Sequence, residues 1–173
     1  MAWYKIFAPD ITVKNYQEVT IEMLKELGCE LFLVDLDNTL VPYDVETPTA
    51  ENINFLDSIQ KAGIKVALLS NNAEKRVKNY AEKLNIKYYA KALKPLPKIY
   101  KTVLKDFGVK KEELLCIGDQ LLTDVLGAHL ANVKVIWTRP LVKRDIFYTK
   151  INRQIEQFII KTLMKKGYID EEV

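Results

Sequence analysis

The stretch "LFLVDLDNTLVPYD" (Leu31–Asp44) decides how this chain is read. It opens as an apolar run of strand type. Two aspartates then arrive two positions apart, Asp35 and Asp37, followed by Asn38 and Thr39. A short continuous apolar run bounded by polar turn residues fits a strand buried on both faces. The polar tail alone has three readings: a turn or helix cap, a cation site, or a nucleophile. The rest of the chain chooses among them.

Four further runs repeat the pattern: "KVALLS" (65–70), "IKYYA" (86–90), "LLCIGD" (114–119) and "VKVIW" (133–137). Helix-like segments separate them at about 48–62, 73–84, 96–107 and 120–131. Strand and helix in alternation predict parallel strands joined by right-handed crossovers. The expected fold is therefore α/β, a Rossmann-like doubly wound parallel sheet of about five strands. Gly63 and Gly108 fall where helices should stop, and Pro95 and Pro97 near a helix start. The expected organisation is a single domain over 1–173. Its core lies at about 31–137, with an N-terminal helical segment at 1–30 and a C-terminal basic amphipathic helix at about 148–167.

Composition narrows the class. The chain has 173 residues, 49% apolar and 28% charged, which fits one globular domain with a real core. A net charge of only +3 argues against a specific nucleic-acid binder. Cys29 and Cys116 make no disulfide framework or metal spacing and read as core residues. No apolar run approaches the ~20 residues that span a bilayer. The start, "MAWYKIFAPD", lacks a signal-peptide layout, so a cytoplasmic protein is expected.

In open α/β sheets, ligands bind at the carboxyl ends of the strands. The first run ends in Asp35, Asp37 and Thr39, and the second in Ser70 and Asn71. The third is followed by Lys94, and the fourth by Asp119 and Asp124. Clustered carboxylates repel one another and need a cation to stay ionised. A hard cation with oxygen ligands, Mg²⁺, suits Asp35, Asp119 and Asp124. A serine hydroxyl, backbone N–H groups and a lysine bind phosphate. A carboxylate beside a metal can attack phosphorus. These residues predict a phosphate-ester substrate.

The order Asp-x-Asp-x-Thr, Ser, Lys, Gly-Asp-x-x-x-x-Asp resembles the haloacid dehalogenase (HAD) superfamily over about 31–137. The resemblance implies that Asp35 is nucleophile and metal ligand. It makes Asp37 the general acid and base, with its carbonyl on Mg²⁺, and lets Thr39 orient the pair. Thr39, Ser70, Asn71 and Lys94 would bind the phosphoryl oxygens, and Lys94 would neutralise charge. Asp119 and Asp124 would complete the metal site, Asp124 through a water or by holding Lys94. An aspartate at position 37 implies phosphate-ester hydrolysis.

About 30 residues separate Thr39 from Ser70, and about 24 separate Ser70 from Lys94. Neither gap has room for a cap domain, so the site is expected to be open or closed by a partner subunit in an oligomer. "LLSNNAEKRV", "KALKPLPK" and "IGDQLLTDVLGAH" look like the YqeG-like branch of capless subfamily IIIA. That branch is related to phosphatidylglycerophosphate phosphatases, which implies an anionic phospholipid as one substrate. Other phosphate esters (nucleotide, sugar or protein) are the alternative. A receiver-type phospho-aspartate switch is a third reading, but there the lysine follows the fifth strand, not the third.

Eight basic residues lie in 139–166: Arg139, Lys143, Arg144, Lys150, Arg153, Lys161, Lys165 and Lys166, opposed by Asp145 and Glu156. Ile151, Ile155, Phe158, Ile159 and Leu163 recur at helical spacing among them. Such a helix either packs its apolar stripe on the sheet or lies on an anionic membrane, giving peripheral contact through 150–166 on the inner face. Trp3, Tyr4, Ile6 and Phe7 are candidate interfacial anchors. Arg76, after Ser70, either reaches the substrate or forms part of a solvated helix face, and the second reading is preferred. His129, the only histidine, reads as structural.

Overall fold

The computed structural model describes residues 2–142 and 150–170, without the side chains of 150–153. Six strands form one parallel sheet: β1 Ile11–Val13, β2 Leu31–Val34, β3 Lys65–Leu69, β4 Lys87–Tyr89, β5 Leu114–Gly118 and β6 Lys134–Thr138. The helices are α1 Ile21–Glu26, α2 Ala50–Lys61, α3 Glu74–Leu84, α4 Lys98–Phe107, α5 Leu126–Leu130 and α6 Lys150–Lys165. Strand order is β1-β6-β5-β2-β3-β4. The chain winds outward from β2 through β3 to β4, then returns to the other side of β2 as β5 and β6. The order reverses between β2 and β5, the place where such sheets open a crevice at their carboxyl ends.

Both faces of the sheet are covered. Phe32 and Val34 point into one core with Leu56, Ile59, Val77 and Tyr80 from α2 and α3. Leu31 and Leu33 point into the other with Tyr100, Val103, Ala128, Ile159 and Leu163 from α4, α5 and α6. Double coverage is why β2 is uniformly apolar. Each such side chain stabilises the fold by about 1.5–3 kcal/mol. Thr49 starts α2 with a capping box: its hydroxyl accepts from Asn52 N (3.2 Å) and Asn52 Oδ1 accepts from Thr49 N (3.0 Å). The Asn52 amide also donates to Leu40 O (2.8 Å), fixing the loop that follows β2.

The sheet has six strands where about five are expected, and the segment 1–30 is not wholly helical. It holds two 3₁₀ turns (Trp3–Phe7 and Tyr16–Glu18), the short α1, and the edge strand β1. β1 pairs with β6, Ile11 opposite Ile136 and Val13 opposite Thr138. Three residues are too few to show a period, and only the tertiary partner makes them a strand. The helix expected over 120–131 is split into a π turn, Leu121–Val125, and α5.

The C-terminal helix spans Lys150–Lys165 and divides its apolar residues. Ile159 and Leu163 are buried in the core, whereas Ile155 and Phe158 are exposed. Phe158 stacks flat on exposed Trp3, ring centroids 6.0 Å apart. Arg139, Lys161, Lys165 and Lys166 are exposed. Lys143, Arg144 and Asp145, and the side chains of Lys150, Ile151 and Arg153, lie outside the described residues. Among the described residues no helix is long and apolar enough to cross a membrane.

His129 is structural, as expected. Its Nδ1 lies 2.7 Å from Ile6 O and its Nε2 3.3 Å from Asp10 Oδ2. Asp10 Oδ2 also accepts from Val135 N (2.8 Å), so the pair pins the N-terminal segment to β6. The Asp10 bond holds the imidazole above its ordinary 6.5, outweighing burial. Burial works against the Asp10 carboxylate, but His129 and Val135 outweigh it and keep the pKa below 3.8. A raised histidine contributes stability that is complete below its unfolded value and is lost as pH rises through the folded one. A lowered aspartate contributes above its unfolded value and loses that part as pH falls. Wild type should therefore melt above His129→Gln most clearly near pH 6, with the gap shrinking toward pH 9. A gap that is flat or grows with pH would overturn the ion-pair account.

Candidate active site

The carboxyl ends of β2, β3 and β5, with the loop after β4, meet around a crevice of about 380 Å³. Asp35 directly follows β2 and extends its pairing, donating its N–H to Ile117 O (3.0 Å). Lys94 reaches across from the loop after β4. Its Nζ donates to Asp35 Oδ1 (2.6 Å), Asp124 Oδ1 (2.5 Å) and Leu69 O (3.1 Å). That uses all three ammonium donors. The three side chains are nearly sealed from solvent, at 3%, 9% and 6% exposure for Lys94, Asp35 and Asp124. Carboxylate oxygens of Asp35, Asp119 and Asp124 lie within 4.8 Å of one another.

The electrostatics of this cluster are unbalanced. Three buried carboxylates face one ammonium. Burial, together with Asp124 and Asp37, pushes the Asp35 carboxyl upward despite Lys94. Burial and the two neighbouring aspartates, Asp35 and Asp124, raise Asp119 as well. Burial disfavours the Lys94 ammonium, yet Asp124 and Asp35 outweigh it and hold the lysine above its usual range. Such a set stays ionised together only with more positive charge inside it. All-oxygen, carboxylate donors fit a hard divalent cation.

Local structure explains how these groups arrive. Asn71 clamps the backbone of Lys94 from both sides: Oδ1 accepts from Lys94 N (2.7 Å) and Nδ2 donates to Lys94 O (3.0 Å). Ala92 N donates to Ser70 O (3.0 Å), laying this loop against the end of β3. Lys91 and Leu93 hold left-handed backbone there, φ +48° and +58°. Such conformations cost of order 1 kcal/mol for side chains of this kind and persist only where surroundings enforce them. Asp124 is aimed at Lys94 by the π turn, a device frequent at functional sites. Its Oδ2 accepts from Gln120 N (3.1 Å). Gly118 has no room for a side chain, because a Cβ there would overlap the Asp124 carboxyl.

The catalytic, phosphate-binding and metal-binding candidates named from the sequence all fall at this end of the sheet, with two changes of place. Thr39 is fully buried and donates to Asp119 Oδ1 (3.4 Å); it does not line the crevice. Asp37 lines the crevice but lies apart from the buried acidic trio. Leu36, between the two aspartates, is buried in the same core as Phe32 and Val34. Ser70 is buried, its Oγ accepting from Asn72 N (3.0 Å) and lying 3.5 Å from Asp37 Oδ2.

Arg76 is a correction. It is not on a solvated face. Nε and Nη2 both approach Asp37 Oδ1 at 2.7 Å, while Asn72 Nδ2 donates to Asp37 Oδ2 (3.0 Å). The helical spacing of α3 put Arg76 on the turn nearest Ser70, but its acidic partner lies 39 positions earlier. Glu156 was also missed as a site neighbour. From α6 it accepts from Leu121 N (2.6 Å), binding the C-terminal helix to the π turn that carries Asp124.

A parallel sheet with an acidic trio, a lysine and a serine at one switch point suits an α/β enzyme that handles phosphate groups. A family model of haloacid dehalogenase-like hydrolases matches residues 11–132, and the chain belongs to that family. It is a phosphatase of that family. The chain is 42% identical to the probable phosphatase YqeG of Bacillus subtilis (strain 168), over 97% of this chain and 98% of that protein. It is 25% identical to phosphatidylglycerophosphate phosphatase 1, chloroplastic/mitochondrial, of Arabidopsis thaliana, over 92% of this chain and 49% of that one. Among solved structures, it shares its fold with the 3-deoxy-D-manno-octulosonate 8-phosphate phosphatase of Moraxella catarrhalis, solved with magnesium, phosphate and the sugar acid. There the TM-score is 0.50 at 15% identity, covering 86% of this chain and 97% of that chain.

Proposed function

We propose that the protein is a Mg²⁺-dependent phosphomonoester hydrolase that works through phospho-Asp35, with residues 1–173 acting as one domain. One observation carries this reading: Lys94 is buried between Asp35 and Asp124, with Asp119 within reach of both. Asp35, Asp119 and Asp124, with the Asp37 carbonyl, would hold the ion, which when bound offsets the negative charge of the trio and of a phosphoryl group.

The chain's own groups then divide the work. Lys94 lessens the repulsion between the Asp35 carboxylate and an anionic ester. An Asp35 oxygen forms a bond to phosphorus as the ester P–O bond breaks, and Asp37 gives the departing oxygen a proton. Water then attacks the phosphorus of phospho-Asp35. Asp37 takes its proton, the acyl P–O bond breaks, and phosphate leaves with Asp35 restored. The Ser70 hydroxyl and the Asn71 N–H orient the phosphoryl oxygens, Asn71 also fixing Lys94. Thr39 supports Asp119. Asp124 holds Lys94.

The substrate reading is an anionic phospholipid, phosphatidylglycerophosphate, met at the inner face of a membrane. The named Arabidopsis relative supports it. So do the capless crevice and the exposed Trp3–Phe158 stack beside exposed lysines of α6. Aromatic side chains with flanking basic residues suit an anionic interface. A screen of lipid, nucleotide, sugar and protein phosphates with Mg²⁺ tests both levels. Release from phosphatidylglycerophosphate at least about tenfold faster than from the others is expected. Turnover of a soluble ester alone would discard the lipid reading, and no turnover of any ester would discard the mechanism.

A further inference from the structure

Arg76 spends its guanidinium on a residue the proposed mechanism needs. Nε and Nη2 both sit 2.7 Å from Asp37 Oδ1. The remaining bonds go to the loop after β2: Nη1 donates to Val45 O (3.0 Å) and Nη2 to Pro42 O (3.3 Å). The pair is mostly shielded, at 17% and 21% side-chain exposure. With Oδ1 engaged twice, the Asp37 carboxylate turns Oδ2 toward Ser70 and Asn72, at 3.5 and 3.0 Å, on the wall of the crevice.

The loop does not depend on Arg76 alone. Tyr80 OH donates to Val45 O (2.9 Å) and Asn79 Nδ2 to Glu46 O (3.0 Å). The contact that only Arg76 supplies is therefore the two-point hold on Asp37 Oδ1. An aspartate has two free torsions, and a proton relay works only at about 2.6–3.2 Å from its partner. A displacement of about 1 Å can cost about 10²-fold.

We infer that Arg76 is a positioning residue for the proton transfer: it locks Oδ1 of Asp37 so that Oδ2 faces the oxygen that leaves. The inference rests on the proposed role of Asp37. It predicts a signature that a structural staple lacks. A leaving group of low basicity, 4-nitrophenoxide, needs little protonation, whereas phenoxide needs more. The test measures kcat/KM of the full chain with Mg²⁺ on 4-nitrophenyl phosphate and on phenyl phosphate. Arg76→Ala should lose at least about tenfold more on the phenyl ester than on the nitrophenyl ester, with Arg76→Lys in between because a single ammonium cannot grip as a fork. Arg76→Ala should add little in an Asp37→Asn background, since the two residues act as a unit. Tyr80→Phe, which loosens the same loop without touching Asp37, should lower both esters alike. Equal losses on the two esters for Arg76→Ala, with Asp37→Asn still discriminating between them, would overturn the role of Arg76. If Asp37→Asn itself shows no leaving-group dependence, the role of Asp37 falls instead. Should Arg76→Ala fold poorly, Arg76→Lys and Arg76→Gln carry the same comparison.

Discussion

Asp35→Asn is expected to cut turnover by roughly 10⁴–10⁶-fold, the scale seen when a covalent nucleophile is removed. The variant should fold. Asparagine has the same shape as aspartate, and the substitution removes one negative charge from a cluster that already exceeds its positive partner, Lys94. In the absence of Mg²⁺ its melting temperature should therefore equal or exceed that of wild type. The decisive readout is covalent. Wild type quenched in acid during turnover should carry phosphate on Asp35, and the variant should carry none. Hydrolysis by Asp35→Asn within about tenfold of wild type, or phosphate trapped on another residue, would remove Asp35 from the nucleophile's place.

The second large effect concerns the cation. Mg²⁺ at about 100 times its dissociation constant adds about 2.7 kcal/mol to the stability of a protein that binds it only when folded. For a chain of this size that is a rise of about 5–10 °C in Tm. Wild type should show that rise and lose turnover in chelator. Asp119→Asn should show little rise, because a buried ligand is gone, while its metal-free form should melt no lower than wild type. The sign of this second measurement matters. If Asp119 mainly supported the fold through Thr39 and the β5 end, removing its charge would lower Tm in both conditions. An equal Mg²⁺ shift in wild type and Asp119→Asn would place the ion elsewhere.

Much of this was legible in the chain. β2, β3, β5 and β6 are buried on both sides, and such strands write themselves as unbroken apolar runs. Their polar endings then point to one edge of the sheet. β1 was not legible, because three residues become a strand only through β6. The π turn was not legible either: Leu121–Val125 has ordinary helical composition, and its widened turn depends on the Asp124–Gln120 bond and on the space left at Gly118. The C-terminal helix showed its stripe, but not that Ile159 and Leu163 would enter the core while Phe158 turned out to meet Trp3.

The sequence by itself determined the sheet, the crevice end and the acidic trio with its lysine, because local apolar runs and the residues that close them are properties of short stretches. Only the tertiary structure decided which cation each of the two aspartates of "LFLVDLDNTLVPYD" meets. Asp35 went to Lys94, 59 positions away, and Asp37 to Arg76, 39 positions away. An ion pair between distant residues depends on how helices and loops pack on the sheet, and no local pattern records that packing.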